Sequence, residues 1–293
     1  MKWQNKIKSA KSKILKKKGY GISIIVPFYC PDKNNPRAKN WDWLQRYWKA
    51  QLPGAEIIVG MDYKCMEDSS VSFSKSCAIN EGVSRANGDI LVIVDADGYI
   101  DADNVLYCAN EIRDARKNKK KLWFIPYRRF FRLTEDATQK ILKSSPEYPY
   151  HLTNPPNKKD ILVMPRDEKI SAPLFEIDVT GSAFGHWYGA LIHIVPSEGF
   201  EIVGGWDIRF RGWGGEDHAA MRAMDTLYWP HKTLPSPVFH MWHPFTHDKV
   251  KVKNRIWENQ ADSGTNDSLS HRYYWSHGNI ARMRKLVDEW KNE

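Results

Sequence analysis

Apolar positions gather in short blocks along most of the chain. Ile22–Val26 is a β-rich run stopped by Pro27, Glu56–Gly60 is a second, and Ile90–Val94 is a third with five consecutive apolar residues. Unalternated runs of this kind predict strands buried on both faces. Between them, Trp41, Leu44, Tyr47 and Trp48 fall at helical spacing, and Ser74–Ala86 and Asp103–Arg116 also predict helices. Phe28–Asn40 holds Pro31, Asn34, Asn35 and Pro36, which predicts a loop. Further on, Leu122–Pro126 and Ala190–Val195 predict strands, Glu216–Tyr228 a helix after a glycine-rich turn, and Ile280–Trp290 an amphipathic closing helix. Thr134–Pro173 is polar and proline-broken, so it predicts a loop-rich segment. Strands alternating with helices predict an α/β fold whose mostly parallel sheet is covered on both faces.

Composition narrows the class without naming a function. With 293 residues, 42% hydrophobic and 27% charged, the chain is globular rather than fibrous or disordered. No apolar run reaches the ~18 residues of a membrane-spanning helix. A basic start without a following apolar block predicts no secretory signal. Cys30, Cys65, Cys77 and Cys108 show no metal-site spacing and predict reduced thiols in a cytoplasmic protein. The net charge of +9 sits almost wholly in residues 1–20, which hold eight lysines and no acid. There Trp3, Ile7, Ala10 and Ile14 make one apolar stripe on a lysine-rich helix. Such a helix suits an anionic membrane surface, making the protein peripheral, or a nucleic-acid backbone; the plainer reading is a solvated arm. The near-neutral remainder argues against a broad electrostatic DNA groove.

Two segments carry chemistry. In Gly88–Gly98, Asp95 and Asp97 follow the third predicted strand. Ligands of open α/β sheets bind beyond the carboxyl ends of the strands, and paired hard oxygens there suit Mn²⁺ or Mg²⁺ carrying phosphates. The plain reading of the same acids is turn and cap residues, as expected for Asp101 and Asp103 just downstream. The second segment, Gly204–Asp217, sets glycines 212, 214 and 215 around Trp213 and then opens a helix with Glu216 and Asp217. Favourable acid placement at a helix start explains the acids but not the five glycines and two tryptophans before them.

Ile24–Tyr29, the Asp95-Ala-Asp97 triplet and the Gly204–Asp217 block, in this order, resemble the GT-A-fold, family-2-like glycosyltransferases. The second half resembles the β-1,4-galactosyltransferase group and bacterial chondroitin-type polymerases. The resemblance spans roughly residues 21–250. It implies a GT-A fold (Rossmann-like, with helices on both faces of the sheet) in a single catalytic domain. Residues 21–120 would form the nucleotide-sugar half and 121–250 the acceptor half, with 1–20 a basic tail and 251–293 a helical extension.

The resemblance also implies roles. Pro27, Phe28, Tyr29 and Asp62 would hold the base and ribose of a nucleotide sugar, although Asp62 comes one residue later than usual. Lys75 stands at the basic position of an FxRxxAxN-like helix and would face the nucleotide. Asp97, with Asp95 directly or through water, would hold Mn²⁺ (or Mg²⁺) on the diphosphate of a donor, a UDP-hexose. A further ligand would come from His240 or His243. The spacing does not decide between them; His240 directly follows the apolar run, and His247 is a third choice. Asp217 would be the catalytic base of an inverting transfer, with Trp213, Gly214, Gly215 and Glu216 placing substrate. Where the galactosyltransferases carry a further acid, this chain has His218, which leaves the sugar open. The acceptor would be a glycan or a hydroxylated base in DNA. The alternative is a non-catalytic sugar- or nucleic-acid-binding module on the same fold.

Overall fold

The structure, a computed structural model, describes residues 21–154, 156–162, 191–244 and 263–291. The lysine-rich residues 1–20, His247 and the part of Thr134–Pro173 beyond Leu162 lie outside the described residues. In chain order the strands are Ile22–Pro27 (β1), Glu56–Gly60 (β2), Ile90–Val94 (β3), Gly98–Tyr99 (β4), Phe124–Ile125 (β5), Arg129–Arg132 (β6), Ile192–Pro196 (β7), Lys232–Thr233 (β8) and Pro237–His240 (β9). Six of them form one sheet in the order β2-β1-β3-β7-β5-β8, and β4-β9-β6 form a second, smaller one. The β1–β2, β1–β3 and β5–β8 pairs are parallel, and β7 runs antiparallel to β3 and β5. The mixed α/β class and the mostly parallel centre follow from the uninterrupted apolar runs: every residue of β1, β3 and β7 is buried.

The helices are Pro36–Gln51 (α1), Tyr63–Glu67 (α2), Lys75–Ser84 (α3), Ala102–Lys117 (α4), Glu135–Lys143 (α5), Ser197–Val203 (α6), Glu216–Ala223 (α7), Ser263–Ser276 (α8) and Ile280–Lys291 (α9). Six of the ten tryptophans among the described residues are buried and serve packing. Trp43 and Trp48 of α1, with Trp123 beside β5, are fully buried. Trp43 stacks on Tyr47, whose hydroxyl donates to Ile100 O at 3.0 Å and accepts from Ala102 N at 2.9 Å, fixing α1 against the start of α4.

Three sequence expectations are corrected. Phe28–Asn40 is not loop throughout, because α1 begins at Pro36. Asn35 caps it by accepting from Arg37 N at 2.9 Å, and proline in the first turn loses no needed donor, so these residues start a helix rather than only turning the chain. The segment after Thr134 holds a helix, α5. Thr134 caps it, acids fill its first turn and lysines its last, which matches the helix dipole. Glu216–Tyr228 is α-helical only to Ala223, after which Met224–Tyr228 widens into a π turn.

Candidate active site

Two clusters of charge lie beyond the carboxyl ends of β1 and β3. The first is assembled by the small sheet. Gly98 of β4 faces His240 of β9, and Met241 N donates to Asp97 O at 2.8 Å. That register brings residues far apart in the chain side by side: His240 Nε2 lies 3.8 Å from Asp97 Oδ1, and His243 Nε2 lies 3.4 Å from Oδ2. Trp242, between the histidines, is held by its backbone. Its N–H donates to the buried Thr138 hydroxyl at 2.8 Å, and its carbonyl accepts from the buried Asn40 amide at 3.0 Å. Sequence reading missed both anchors. On the other side Arg37 Nε sits 2.9 Å from Asp97 Oδ2.

The electrostatics of this cluster favour a cation. Burial alone would raise the Asp97 carboxyl, but Arg37, His240 and His243 outweigh it and hold the group well below the usual carboxylate range. Burial pushes His240 down to about 4, against the pull of Asp97, so its imidazole is neutral at physiological pH. One ionised carboxylate and two imidazoles, with ligand atoms all within 4.8 Å of one another, match the donor set of a transition-metal ion. Asp97 Oδ2 is buried and accepts no aligned hydrogen bond. These residues therefore fit the metal ion that the sequence implies. They also bring both His240 and His243 to Asp97, whereas the spacing could not choose between them.

The second cluster centres on Lys75, at the start of α3. Ser74 caps that helix by accepting from Cys77 N at 3.1 Å, and its hydroxyl donates to Phe210 O at 2.7 Å. The helix lies close on β2 because Gly60 has no side chain; a Cβ there would fall 1.9 Å from Ala78 O. Across from it, Gly215 adopts φ +91°, a left-handed geometry that suits glycine, and α7 then opens with Glu216 and Asp217. Lys75 Nζ reaches Asp95 Oδ1 at 2.7 Å, Asp217 Oδ1 and Oδ2 at 2.8 and 3.0 Å, and Glu216 Oε1 at 3.8 Å. Below it lies the Trp206 ring, 5.7 Å away, whose backbone N–H and carbonyl are both bound by the Asn80 side chain.

Burial would lower Lys75, but Asp217, Asp95 and Glu216 prevail and hold its ammonium above the usual lysine range. Three carboxylates share that one cation. Burial lifts Asp95 to about 6, with Lys75 opposing and Asp217 and Asp97 adding to the rise. Burial and then Asp217 lift Glu216 to about 7, and its buried Oε2 has no hydrogen-bond partner. Asp95 and Asp97, which their spacing aimed at one point, thus serve two. Asp95 lies outside the group of converging metal-ligand atoms, its Oδ1 being held by Lys75.

The remaining sequence-predicted residues line the same end. Pro27 closes β1; Phe28 leans on Trp41 at 6.3 Å between ring centres, and Tyr29 is 40% exposed. Asp62 is only 2% exposed, and its Oδ2 accepts from Ser74 N at 2.7 Å and from Arg211 at 3.1 Å. Trp213 is 46% exposed at the tip of the glycine turn, where the Asn266 side-chain amide of α8 donates to the carbonyls of Arg211 and Trp213. Arg37 was also missed, although a basic residue just inside a proline-started helix after β1 is a readable signal.

No family model matches the chain, and no curated protein matches it either. Solved structures similar to it include the catalytic domain of Drosophila β1,4-galactosyltransferase 7 in complex with xylobiose (17% identity, TM-score 0.39, covering 86% of this chain and 79% of that one). A point mutant of the Drosophila enzyme, in complex with manganese, UDP-Gal and xylobiose, is similar at 17% identity and TM-score 0.35, covering 80% and 76%. GalNAc-T7 with UDP, GalNAc and Mn²⁺ is similar at 11% identity and TM-score 0.42, with 92% of this chain spanning 55% of that one.

Proposed function

We propose that the chain is a metal-dependent, inverting glycosyltransferase of GT-A type that moves a hexose from a UDP-sugar to a glycan hydroxyl. The observation that carries this reading is the Lys75 ammonium. It touches both Asp95 and Asp217, so the acids near position 96 and the acid at 217 meet at one side chain although they are far apart along the sequence.

In this reading Asp97, His240 and His243 hold Mn²⁺, with Asp95 near enough to act through water. When bound, the ion neutralises charge on the departing nucleoside diphosphate. Arg37 adds a fixed positive charge beside it. Pro27, Phe28 and Tyr29, at the end of β1, receive the uridine; Asp62, held by Ser74 and Arg211, shapes that wall. Asp217 takes the proton of the acceptor hydroxyl as its oxygen attacks C1 of the sugar. The C1–O bond to the diphosphate breaks on the opposite face, and its electron pair stays with the leaving group. Lys75 keeps the Asp217 carboxylate aimed. Glu216 and Trp213 place the sugars, the acid by hydrogen bonding and the indole by packing on a C–H face.

UDP release from UDP-hexoses with Mn²⁺ present tests the reading. Release with one donor, abolished in Asp97→Ala, is the expected result. No release with intact sugar binding would leave a binding module instead. Repeating the assay with oligosaccharides and with duplex DNA bearing hydroxylated bases identifies the acceptor class. Transfer to DNA alone would replace the glycan assignment.

A further inference from the structure

The end of the sheet opposite the cleft carries its own pattern. At the amino ends of β5 and β8, Lys119, Lys120, Lys121 and Lys232 are exposed, and none pairs with a carboxylate among the described residues. Trp229, three residues before Lys232, is 53% exposed. Pairing of Phe124 with Lys232 joins the two segments, as does the Trp123 indole N–H, which donates to Trp229 O. Lys121 Nζ lies 5.3 Å from the ring centre of Tyr228, next to Trp229. Nearby acids are already engaged: Asp114 by Lys117, Asp89 by Arg113 and Arg116, Glu198 by Arg116, and Asp225 by His231.

The lysine-rich residues 1–20 join the body at this same end. Gly21, where they meet β1, packs so tightly that a Cβ would fall 2.4 Å from Asp89 Oδ1 and 3.2 Å from Arg113.

We propose that this end of the folded body is a docking surface for an anionic lipid bilayer, with Trp229 entering the headgroup layer and Lys119, Lys120, Lys121 and Lys232 meeting lipid phosphates. The surface lies on the body itself and is independent of the glycosyl-transfer reading. A half-exposed indole on the same edge as exposed lysines that have no carboxylate partner among the described residues has the amphipathic make-up of an interfacial anchor. A nucleic-acid acceptor would have to be gripped at the end of the sheet where Lys75 and Asp97 lie, and this patch is at the far end. Docking here leaves the Lys75 and Asp97 clusters facing away from the bilayer.

The test is sedimentation of the full chain with phosphatidylcholine vesicles, with and without about a third phosphatidylglycerol. Binding is expected to the anionic vesicles only. Removing charge in the Lys119→Gln/Lys120→Gln/Lys121→Gln variant should weaken partitioning about a hundredfold, at about fivefold per lysine. Trp229→Ala, which keeps the carbonyl that Trp123 uses, should weaken it about tenfold. Unchanged thermal melting and far-UV circular dichroism show that both variants are folded. Absence of vesicle binding by the wild type overturns the proposal. So does weakening only in Lys16→Ser/Lys17→Ser/Lys18→Ser, which would put the contact in the tail alone. If the body variants lose binding to duplex DNA at equal salt while vesicle binding is unchanged, the surface is for nucleic acid and the proposal fails.

Discussion

Asp95 and Asp97 stand two residues apart, yet they end in opposite electrostatic surroundings. Around Asp97, one carboxylate is shared by Arg37 and two histidines, and it stays ionised while His240 stays neutral. Around Lys75, one ammonium is shared by three carboxylates, two of which hold protons well above their ordinary range. The first cluster gathers an ionised carboxylate and two imidazole rings, the donor set of a metal ion. The second already contains its cation and is over-supplied with acid. A short turn after a buried strand thus divides one acidic motif between two clusters of opposite charge balance. The dividing agents, Arg37 and Lys75, come from the starts of two different helices.

The comparison breaks most directly by removing one acid at a time. Asp97→Ala should weaken Mn²⁺ binding at least a hundredfold, measured by titration calorimetry, while Asp95→Ala should cost no more than about tenfold, as for a group outside the ligand set. Equal losses would mean that the two acids act as one site. Asp217→Asn should lower transfer about a thousandfold while Mn²⁺ and UDP bind as before, because the proton acceptor is lost and the Asp97–His240–His243 donors are untouched. A variant that transfers at the wild-type rate would end the base assignment and point to a retaining mechanism.

A smaller effect is expected from the cation of the second cluster. Lys75→Met leaves Asp95, Glu216 and Asp217 buried together with no positive partner. Breaking a buried ion pair in this way costs about 3 kcal/mol. Urea unfolding at pH 8 should show that loss, and at pH 5 it should shrink, since protonated acids no longer need the ammonium. A loss independent of pH would mean that Lys75 matters for packing alone.

Much of this was legible in the sequence, and the rest was hidden for identifiable reasons. The buried strands, Lys75, the Asp95/Asp97 pair, the glycine turn and the two histidines are local patterns, each read within a dozen residues. Which acid meets which partner is not local. It depends on β4 pairing with β9, two strands from distant parts of the chain that are too short to announce themselves. Asn40 and Thr138 are invisible for the same reason: each falls in a stretch that reads as loop, and only the fold brings its side chain onto the backbone of Trp242. Asn35 and Pro36 were read as turn chemistry because the same residues that bend a loop also begin a helix. The Asn80 side chain on Trp206 shows the opposite case, an asparagine in a recognisable motif whose partner only the fold reveals.

The finest distinction between the clusters is the sign of their pH dependence. Glu216 is held at about 7 in the folded chain, chiefly by burial and next by Asp217, against roughly 4.3 for an unfolded glutamate. Between those values the folded state keeps a proton that the unfolded state releases. Stability therefore falls as pH rises through this window and is lowest above the folded value. Glu216→Gln carries no such proton, so it should gain on the wild type from about pH 4.5 to pH 8, by about 2 kcal/mol at the end. Asp97 has the reverse sign: its folded value is depressed, so its contribution is present above the unfolded value and is lost on acidification. Thermal melts of the wild type, Glu216→Gln and Asp97→Asn without metal from about pH 2 to pH 8 read both signs at once, because the Asp97 contribution is lost only below its unfolded value of roughly 3.9. The Glu216→Gln curve should diverge from the wild type on the alkaline side, and the Asp97→Asn curve should converge with it on the acid side. Parallel curves would show that the two clusters do not differ in the way their charges imply.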